Sequence, residues 1–466
     1  MVNLKNIYPN QNRLFSRMKS ILIAIVTLLV IGGCSSTKMA LPEYIPLYEA
    51  PNPSKVLQIP YPILLLHGLG QKASVWDKDA IEFYEQDLRL QHAGILRPSK
   101  KGISLDKKGS GTYMDFFTVQ FSKPTDSVEG WTKELEQCIQ FVREKTGAEK
   151  VILIGYSMGG LTGRHYLTKH VKDHHVQRLI TIGSPHQGSA FAKVYNWKTA
   201  VNKSLQEGNQ GLLTPVIEQV SELIRKAERD VPFDAPAIRD LRRPQDGGWF
   251  IEKSGNREHP LDVEYISVIG DVDMMKELSE LNQTGAKELL RRIMGILGLG
   301  VESLFEGGDG VVSASSQTIN ELPWFRSQPG SQRISQTIKL SSVHEDHLRN
   351  SNEIQKLSLE DQPEFKGAEF YRDATGNALM LVLEYTDYLP KNECKVSIDF
   401  TQAGMNKQII VSPKDIFLVK TSSGIVKQCA VNIPIGFDIS SKMECSITIK
   451  NAFGRQCSAN KAWRGL

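Results

Sequence analysis

Val151-Ile152-Leu153-Ile154-Gly155-Tyr156-Ser157-Met158-Gly159-Gly160 decides the architecture of this 466-residue chain. Four consecutive apolar side chains leave no polar face, which suits a strand buried on both sides of a parallel sheet. The serine then stands between glycines in a GxSxG pattern, and residues 160–171 read as a helix. Strand, sharp turn and helix is the context in which a serine is held in a strained backbone with its hydroxyl exposed, and a Cβ at Gly155 or Gly159 would collide with neighbouring backbone. Working outward, Ile63-Leu64-Leu65-Leu66, Phe116 to Phe121 and Leu179-Ile180-Thr181-Ile182 repeat the buried-strand pattern. Trp131, Leu135, Cys138, Ile139 and Val142 fall at helical spacing between two of these strands. The alternation predicts an α/β fold with a mostly parallel central sheet.

His67-Gly68-Leu69-Gly70 ends the strand that opens this series. The Leu69 and Met158 backbone N–H groups are therefore the expected oxyanion hole, the pair of donors that receives negative charge developing on a carbonyl oxygen. A serine hydroxyl is a weak nucleophile at neutral pH, so Ser157 needs a base to take its proton and an acid to orient that base.

Pro62 to Gly68, Gly155 to Gly160 and Gly183-Ser184-Pro185-His186-Gln187-Gly188-Ser189 together resemble the α/β-hydrolase superfamily, and within it lipase-like serine esterases. The last motif looks like the GTPHxGS of bacterial lipases, and the resemblance runs from residue 56 to about 355. It implies Ser157 as nucleophile and the chain order serine, acid, histidine. Gly308-Asp309-Gly310-Val311-Val312 resembles the NDGLV segment that carries the lipase acid, which points to Asp309, with Asp271 at the end of an earlier strand as the competitor. For the base, Asp346-His347-Leu348 resembles the step after the last strand in related hydrolases and favours His347, with His344 as the alternative. No CxxC pair or HExxH occurs, and neither a metal nor a cofactor is expected.

The flanks read differently. Lys19, the apolar run Ile21 to Ile31 and Gly32-Gly33-Cys34 form a secretory signal over 1–33, resembling a bacterial lipobox in which Cys34 is acylated. The prolines at 42, 46, 51 and 53 suggest that residues 34–55 form an extended tether. A hydrolase domain over 56–360 follows, with helical lid insertions at about 190–262 and 272–306. Residues 365–466 show period-two strands, with Val396, Ile398 and Phe400 on one face, and predict an all-β, sandwich-like domain. Its four cysteines, Cys394, Cys429, Cys445 and Cys457, form an even set that predicts two disulfides in an exported protein, with Cys138 free.

The formal charge of +4 resides in the first 33 residues, so the remainder is neutral and a nucleic-acid partner is excluded. The expected protein is a serine hydrolase of carboxylic esters, with acyl lipids as substrate class, lipid-anchored in the cell envelope at the outer membrane. Phospholipase, thioesterase or acyltransferase chemistry at the same serine is the alternative, and a non-catalytic surface-binding lipoprotein is the reading from a different class.

Overall fold

The computed structural model describes residue 41 and residues 44–465, apart from 79, 108–110, 194–230, 233, 273–306, 310, 330–334, 343, 345–346, 349–350 and 422–423. The signal segment with Cys34, the amphipathic stretch 212–227 and nearly all of the second lid insertion lie outside the described residues.

Eight strands form the first sheet: β1 (Ile63–Leu66), β2 (His92–Ser99), β3 (Gly102–Asp106), β4 (Phe116–Val119), β5 (Val151–Tyr156), β6 (Val176–Ile182), β7 (Glu264–Gly270) and β8 (Ser335–Leu340). Their order is β3-β2-β4-β1-β5-β6-β7-β8. Every pairing is parallel except the β2–β3 hairpin at one edge. Helix α1 (Val128–Thr146) crosses over from β4 to β5, capped at its start by Ser127 Oγ accepting from the Gly130 N–H and at its end by Gly147 in the left-handed region. Helix α2 (Met158–Lys169) begins immediately after Ser157.

Both faces of this sheet are covered, which is why its central strands carry no polar alternation. Leu64, Leu66, Val151 and Leu153 pack with the apolar stripe of α1 and with Leu161 and Leu167 of α2. Ile63, Leu65, Ile152 and Ile154 face the other way, toward Trp76, Tyr84 and helix α3 (Ser351–Leu359) through Ile354 and Leu359. Tyr388, Leu389 and Cys394 of the C-terminal portion join this second cluster. The connection between two of the C-terminal strands thus packs against one face of the hydrolase sheet.

Those strands are β9 (Glu364–Arg372), β10 (Leu379–Thr386), β11 (Cys394–Gln402), β12 (Met405–Ile410), β13 (Ile416–Thr421), β14 (Gly424–Asn432), β15 (Met443–Asn451) and β16 (Gln456–Trp463). They make two antiparallel four-stranded sheets, β13-β14-β10-β9 and β12-β11-β15-β16. Leu381, Leu383 and Tyr385 of β10 share one core with Val396, Ile398 and Phe400 of β11 and Ile447 of β15, as inward residues of a sandwich do.

Two expectations are corrected. The five described cysteines are unpaired: Cys138, Cys394, Cys429, Cys445 and Cys457 are all free thiols. Cys445 stands across from Phe400, Cys457 from Ile449 and Cys394 from Asn451, while Cys429 lies between Leu383 and Ile416, so no two thiols face each other. Cys394, Cys429 and Cys445 take inward positions as small core residues, and burial pushes each thiol up to about 12. An even count argues for bridges only where side chains meet.

The second correction concerns the tether. From residue 44 onward the chain is docked: Leu41 and Ile45 are buried in the sandwich core, and Leu57 packs with Leu418 and Ile425. Tyr48 N–H donates to the Arg372 carbonyl at 2.7 Å, Arg372 N–H to the Pro46 carbonyl at 2.8 Å, and Ser54 N–H to the Leu418 carbonyl at 2.8 Å. Proline favours extended backbone, and extended backbone covers a sheet edge as readily as it spans solvent. The apolar residues between the prolines decide which.

Candidate active site

Ser157 has φ 51° and ψ −122°, a conformation that non-glycine residues rarely adopt. The neighbouring glycines make this turn possible. A Cβ on Gly155 would lie 2.3 Å from the Gly160 nitrogen, and one on Gly159 would lie 2.6 Å from the carbonyl oxygens of Leu66 and His67. The elbow therefore presses directly on the turn after β1. Ser157 N–H donates to the Ile182 carbonyl at 2.7 Å, which carries the β5–β6 ladder one residue further and anchors the strained residue.

The turn after β1 is held by His67, which is fully buried. Phe121 N–H donates to His67 Nε2 at 3.3 Å, so the ring is protonated on Nδ1, which donates to the Gly68 carbonyl at 2.8 Å. Burial pushes His67 down to about 4 and keeps it neutral at pH 7. A Cβ on Gly68 would lie 3.1 Å from Ser157 Cβ, so the turn that carries Leu69 runs against Ser157. Met158 is the first residue of α2, where an N–H has no intrahelical acceptor.

Asp309 sits on a turn stapled to the end of β7. Val272 N–H donates to the Gly308 carbonyl at 2.9 Å and Ala314 N–H to the Gly307 carbonyl at 2.9 Å. Gln317 spans the same junction, accepting from the Gly270 N–H at 2.8 Å and donating to the carbonyls of Gly270 and Val312. The Gly183 to Ser189 motif grips the turn from its other side. Ser189 hydroxyl donates to the Val311 carbonyl at 2.6 Å, His186 N–H to the Ser316 carbonyl at 2.8 Å, and Ser316 hydroxyl to the Gly188 carbonyl at 2.6 Å. This motif thus positions the Asp309 turn, a role that its sequence did not disclose.

The carboxylate of Asp309 is fully shielded from solvent and fully hydrogen-bonded. Oδ1 accepts from the N–H groups of Val311 at 3.0 Å and Val312 at 2.7 Å, while Oδ2 accepts from His344 Nδ1 at 2.7 Å and His347 Nε2 at 3.0 Å. Burial alone would raise its proton affinity. The hydrogen bonds from both histidines, the attraction of His344 and the Val312 N–H outweigh burial and hold the carboxyl well below the usual carboxylate range. Asp271 is elsewhere: its carboxylate is part-exposed and pairs with Lys339 Nζ at 3.1 Å.

His344 completes the line to the serine. Its Nε2 lies 3.1 Å from Ser157 Oγ, and its backbone N–H donates to the Asp309 carbonyl at 2.9 Å. Tyr156 hydroxyl donates to the His344 carbonyl at 2.8 Å, and the two rings pack at 5.2 Å. The expectation that His347 faces Ser157 is corrected. His347 reaches Asp309 from a different side, with Nδ1 on Ser342 Oγ at 2.7 Å, and its side chain is wholly buried. Sequence favoured it on the resemblance of its immediate neighbours, and no local signal separates two histidines three residues apart on one loop.

The ligand atoms of Asp309, His344 and His347 lie within 4.8 Å of one another, the only such cluster of metal-ligating type among the described residues. Asp309 Oδ2 accepts from both rings at 2.7 and 3.0 Å, so the cluster is closed by hydrogen bonds that share one oxygen. The arrangement is a continuous hydrogen-bonded line from Ser157 through His344 to Asp309.

Residues 61–206, from just before β1 to beyond β6, match the family model described as the alpha/beta hydrolase fold. The chain has the α/β-hydrolase fold. Over 137 residues, 28% of this chain, it is 31% identical to a triacylglycerol lipase of Pseudarthrobacter phenanthrenivorans and to one of Burkholderia plantarii. The match spans 35% and 31% of those two proteins, so the chain covers about a third of the length of the curated relatives. Among solved structures it is similar to mature Bacillus licheniformis lipase BlEst2, at 18% identity and a TM-score of 0.36, over 67% of this chain and 93% of that one.

Proposed function

We propose that this hydrolase-fold chain cleaves carboxylic ester bonds, with acyl lipids as substrate class, through an acyl-enzyme on Ser157. The observation that carries this reading is the continuous line from Ser157 Oγ to His344 Nε2 and from His344 Nδ1 to Asp309 Oδ2, at 3.1 and 2.7 Å. In the first half-reaction Ser157 Oγ bonds to the ester carbonyl carbon as its proton passes to His344 Nε2. Asp309 holds the ring in the tautomer that leaves Nε2 free to accept, and stabilises the imidazolium that forms. The Leu69 and Met158 N–H groups receive the oxyanion, and collapse expels the alcohol, which takes the proton from His344. Water repeats the cycle on the acyl-enzyme and returns the free acid. The similarity to triacylglycerol lipases over 137 residues supports an acyl ester as substrate. Acylation at Cys34, with residence at the outer membrane, belongs to the same proposal. It rests on the Ile31 to Cys34 sequence alone.

The test is fluorophosphonate labelling of the purified protein alongside a panel of p-nitrophenyl esters, triacylglycerols, phospholipids and acyl thioesters of graded chain length. Labelling at Ser157 with turnover of oxygen esters supports the reading. Labelling with turnover only of phospholipids or thioesters moves the substrate class while keeping the site, and absence of both labelling and turnover leaves the surface-binding lipoprotein as the account to pursue.

A further inference from the structure

We propose that His347 is a positioning residue for the Asp309–His344 pair: it takes a share of Asp309 Oδ2, fixes the carboxylate in place and limits the negative charge presented to His344. The proposal rests on the reading of Ser157, His344 and Asp309 as an ester-cleaving triad.

Three observations carry it. The first is that Asp309 Oδ2 is divided, accepting at 2.7 Å from His344 and at 3.0 Å from His347, while the backbone N–H groups of Val311 and Val312 occupy Oδ1. Each lone pair given to His347 is withheld from His344. The second is the fixed orientation of the His347 ring. A carboxylate can only accept, so Nε2 carries a proton, and Ser342 Oγ at 2.7 Å from Nδ1 holds the other side of the ring. The third is that two strand ends are stripped of side chains to admit this ring. A Cβ on Gly270 would lie 2.3 Å from His347 Cε1, and one on Gly183, which has φ +57°, would lie 2.9 Å from His347 Cδ2. A histidine so enclosed, 5.8 Å ring to ring from His344, bears on the reaction through Asp309.

Among the described residues, the titratable groups against this pair are Asp309 itself and Tyr156 of β5, whose hydroxyl is engaged with the His344 carbonyl. Asp271 after β7 and Lys339 on β8 neutralise each other at 3.1 Å. Glu345 and Asp346 lie outside the described residues. The direction of the effect follows. A donor on Asp309 weakens its hold on a protonated His344, so removing that donor makes His344 easier to protonate, and the base is lost at a higher pH.

The experiment compares wild type with His347→Phe, which fills the space without donating, His347→Gln, which retains an N–H donor, and Ser342→Ala. The acid limb of kcat/KM for p-nitrophenyl butyrate is expected to move upward by about one pH unit in His347→Phe, with kcat lowered and KM little changed. It returns toward wild type in His347→Gln and moves less in Ser342→Ala. In parallel, the His344 imidazole is titrated by NMR in the same proteins, a readout that needs no turnover. An upward move of the His344 midpoint in His347→Phe supports the proposal even if no ester is cleaved, in which case only the functional reading fails. Folded His347→Phe with an unmoved midpoint and an unmoved acid limb overturns it, leaving His347 as packing. If His347→Phe does not fold, His347→Gln and Ser342→Ala decide: unmoved midpoints in both overturn the proposal, and a midpoint moved upward in Ser342→Ala supports it.

Discussion

Two carboxylates in this molecule are equally inaccessible, and only one of them is linked to a strained serine. Asp309, beyond β7, and Asp387, at the junction of β10 and β11, are both buried and both hydrogen-bonded on each oxygen. Asp387 Oδ1 accepts from Leu389 N–H at 2.8 Å, from the Cys394 thiol at 3.2 Å and from Lys427 Nζ at 3.3 Å, and Oδ2 accepts from Asn451 Nδ2 at 3.0 Å. Lys427 is itself only 2% exposed and donates onward to the carbonyls of Asp387 and Leu389. The charges there cancel inside a sealed core and knit β10, β11, β14 and β15 together. Around Asp309 the partners are two imidazoles, and one of them reaches a strained, part-exposed serine. Burial of a charged group is thus shared by structural and chemical clusters. The contact with a strained serine tells them apart.

The comparison breaks most visibly in turnover. Ser157→Ala and His344→Ala are each expected to lower ester hydrolysis by about three orders of magnitude or more, and the double variant by little beyond either single change, because the members act as a unit. Steady-state kinetics on the pure proteins checks this, and a His347→Ala loss as deep as that of His344→Ala would return the base to His347.

At Asp387 the expected loss is in stability. Lys427→Met leaves a buried carboxylate without its cation and should cost about 3–5 kcal/mol in urea unfolding, whereas Lys427→Met with Asp387→Asn should recover part of it. Specific activity per folded molecule should hold in both. A stable Lys427→Met protein would show that the pair contributes little to the sandwich.

A smaller effect lies in pH. Burial pushes His67 and His165 down to about 4 and His259 to about 3, against an ordinary value of 6.5. Between those values the unfolded chain binds protons that the folded chain does not. Stability therefore rises with pH across this window, is fully present above about 6.5, and is lost as pH falls toward 4. Urea midpoints at pH 7.5, 6 and 5 should descend in that order, and equal midpoints would contradict neutral burial of these rings.

The smallest expected effect is none at all. With its described cysteines unpaired, the protein should show the same melting temperature with and without dithiothreitol. A drop on reduction would reinstate bridges in the sandwich.

Much of this was legible in the residues because the causes are local. Apolar runs without polar alternation mark doubly covered strands, the glycines about Ser157 answer a steric demand within a few residues, and the inward positions of β10 and β11 alternate with period two. Asp309 is singled out by the likeness of residues 308–312 to an NDGLV segment, and its neighbouring glycines mark a turn. Three matters lay beyond the linear order. His344 and His347 are equivalent on a loop, and which meets Ser157 depends on how β5 and β8 stand across a sheet that brings residues 187 apart in sequence to 3.1 Å. Whether residues 44–58 span solvent or cover an edge depends on β9 having that edge open, and whether the thiols bridge depends on strand register, which sets each cysteine opposite a non-cysteine. Local sterics and periodicity are carried by neighbours in the chain, whereas register, edge and reach arise only once distant segments have packed.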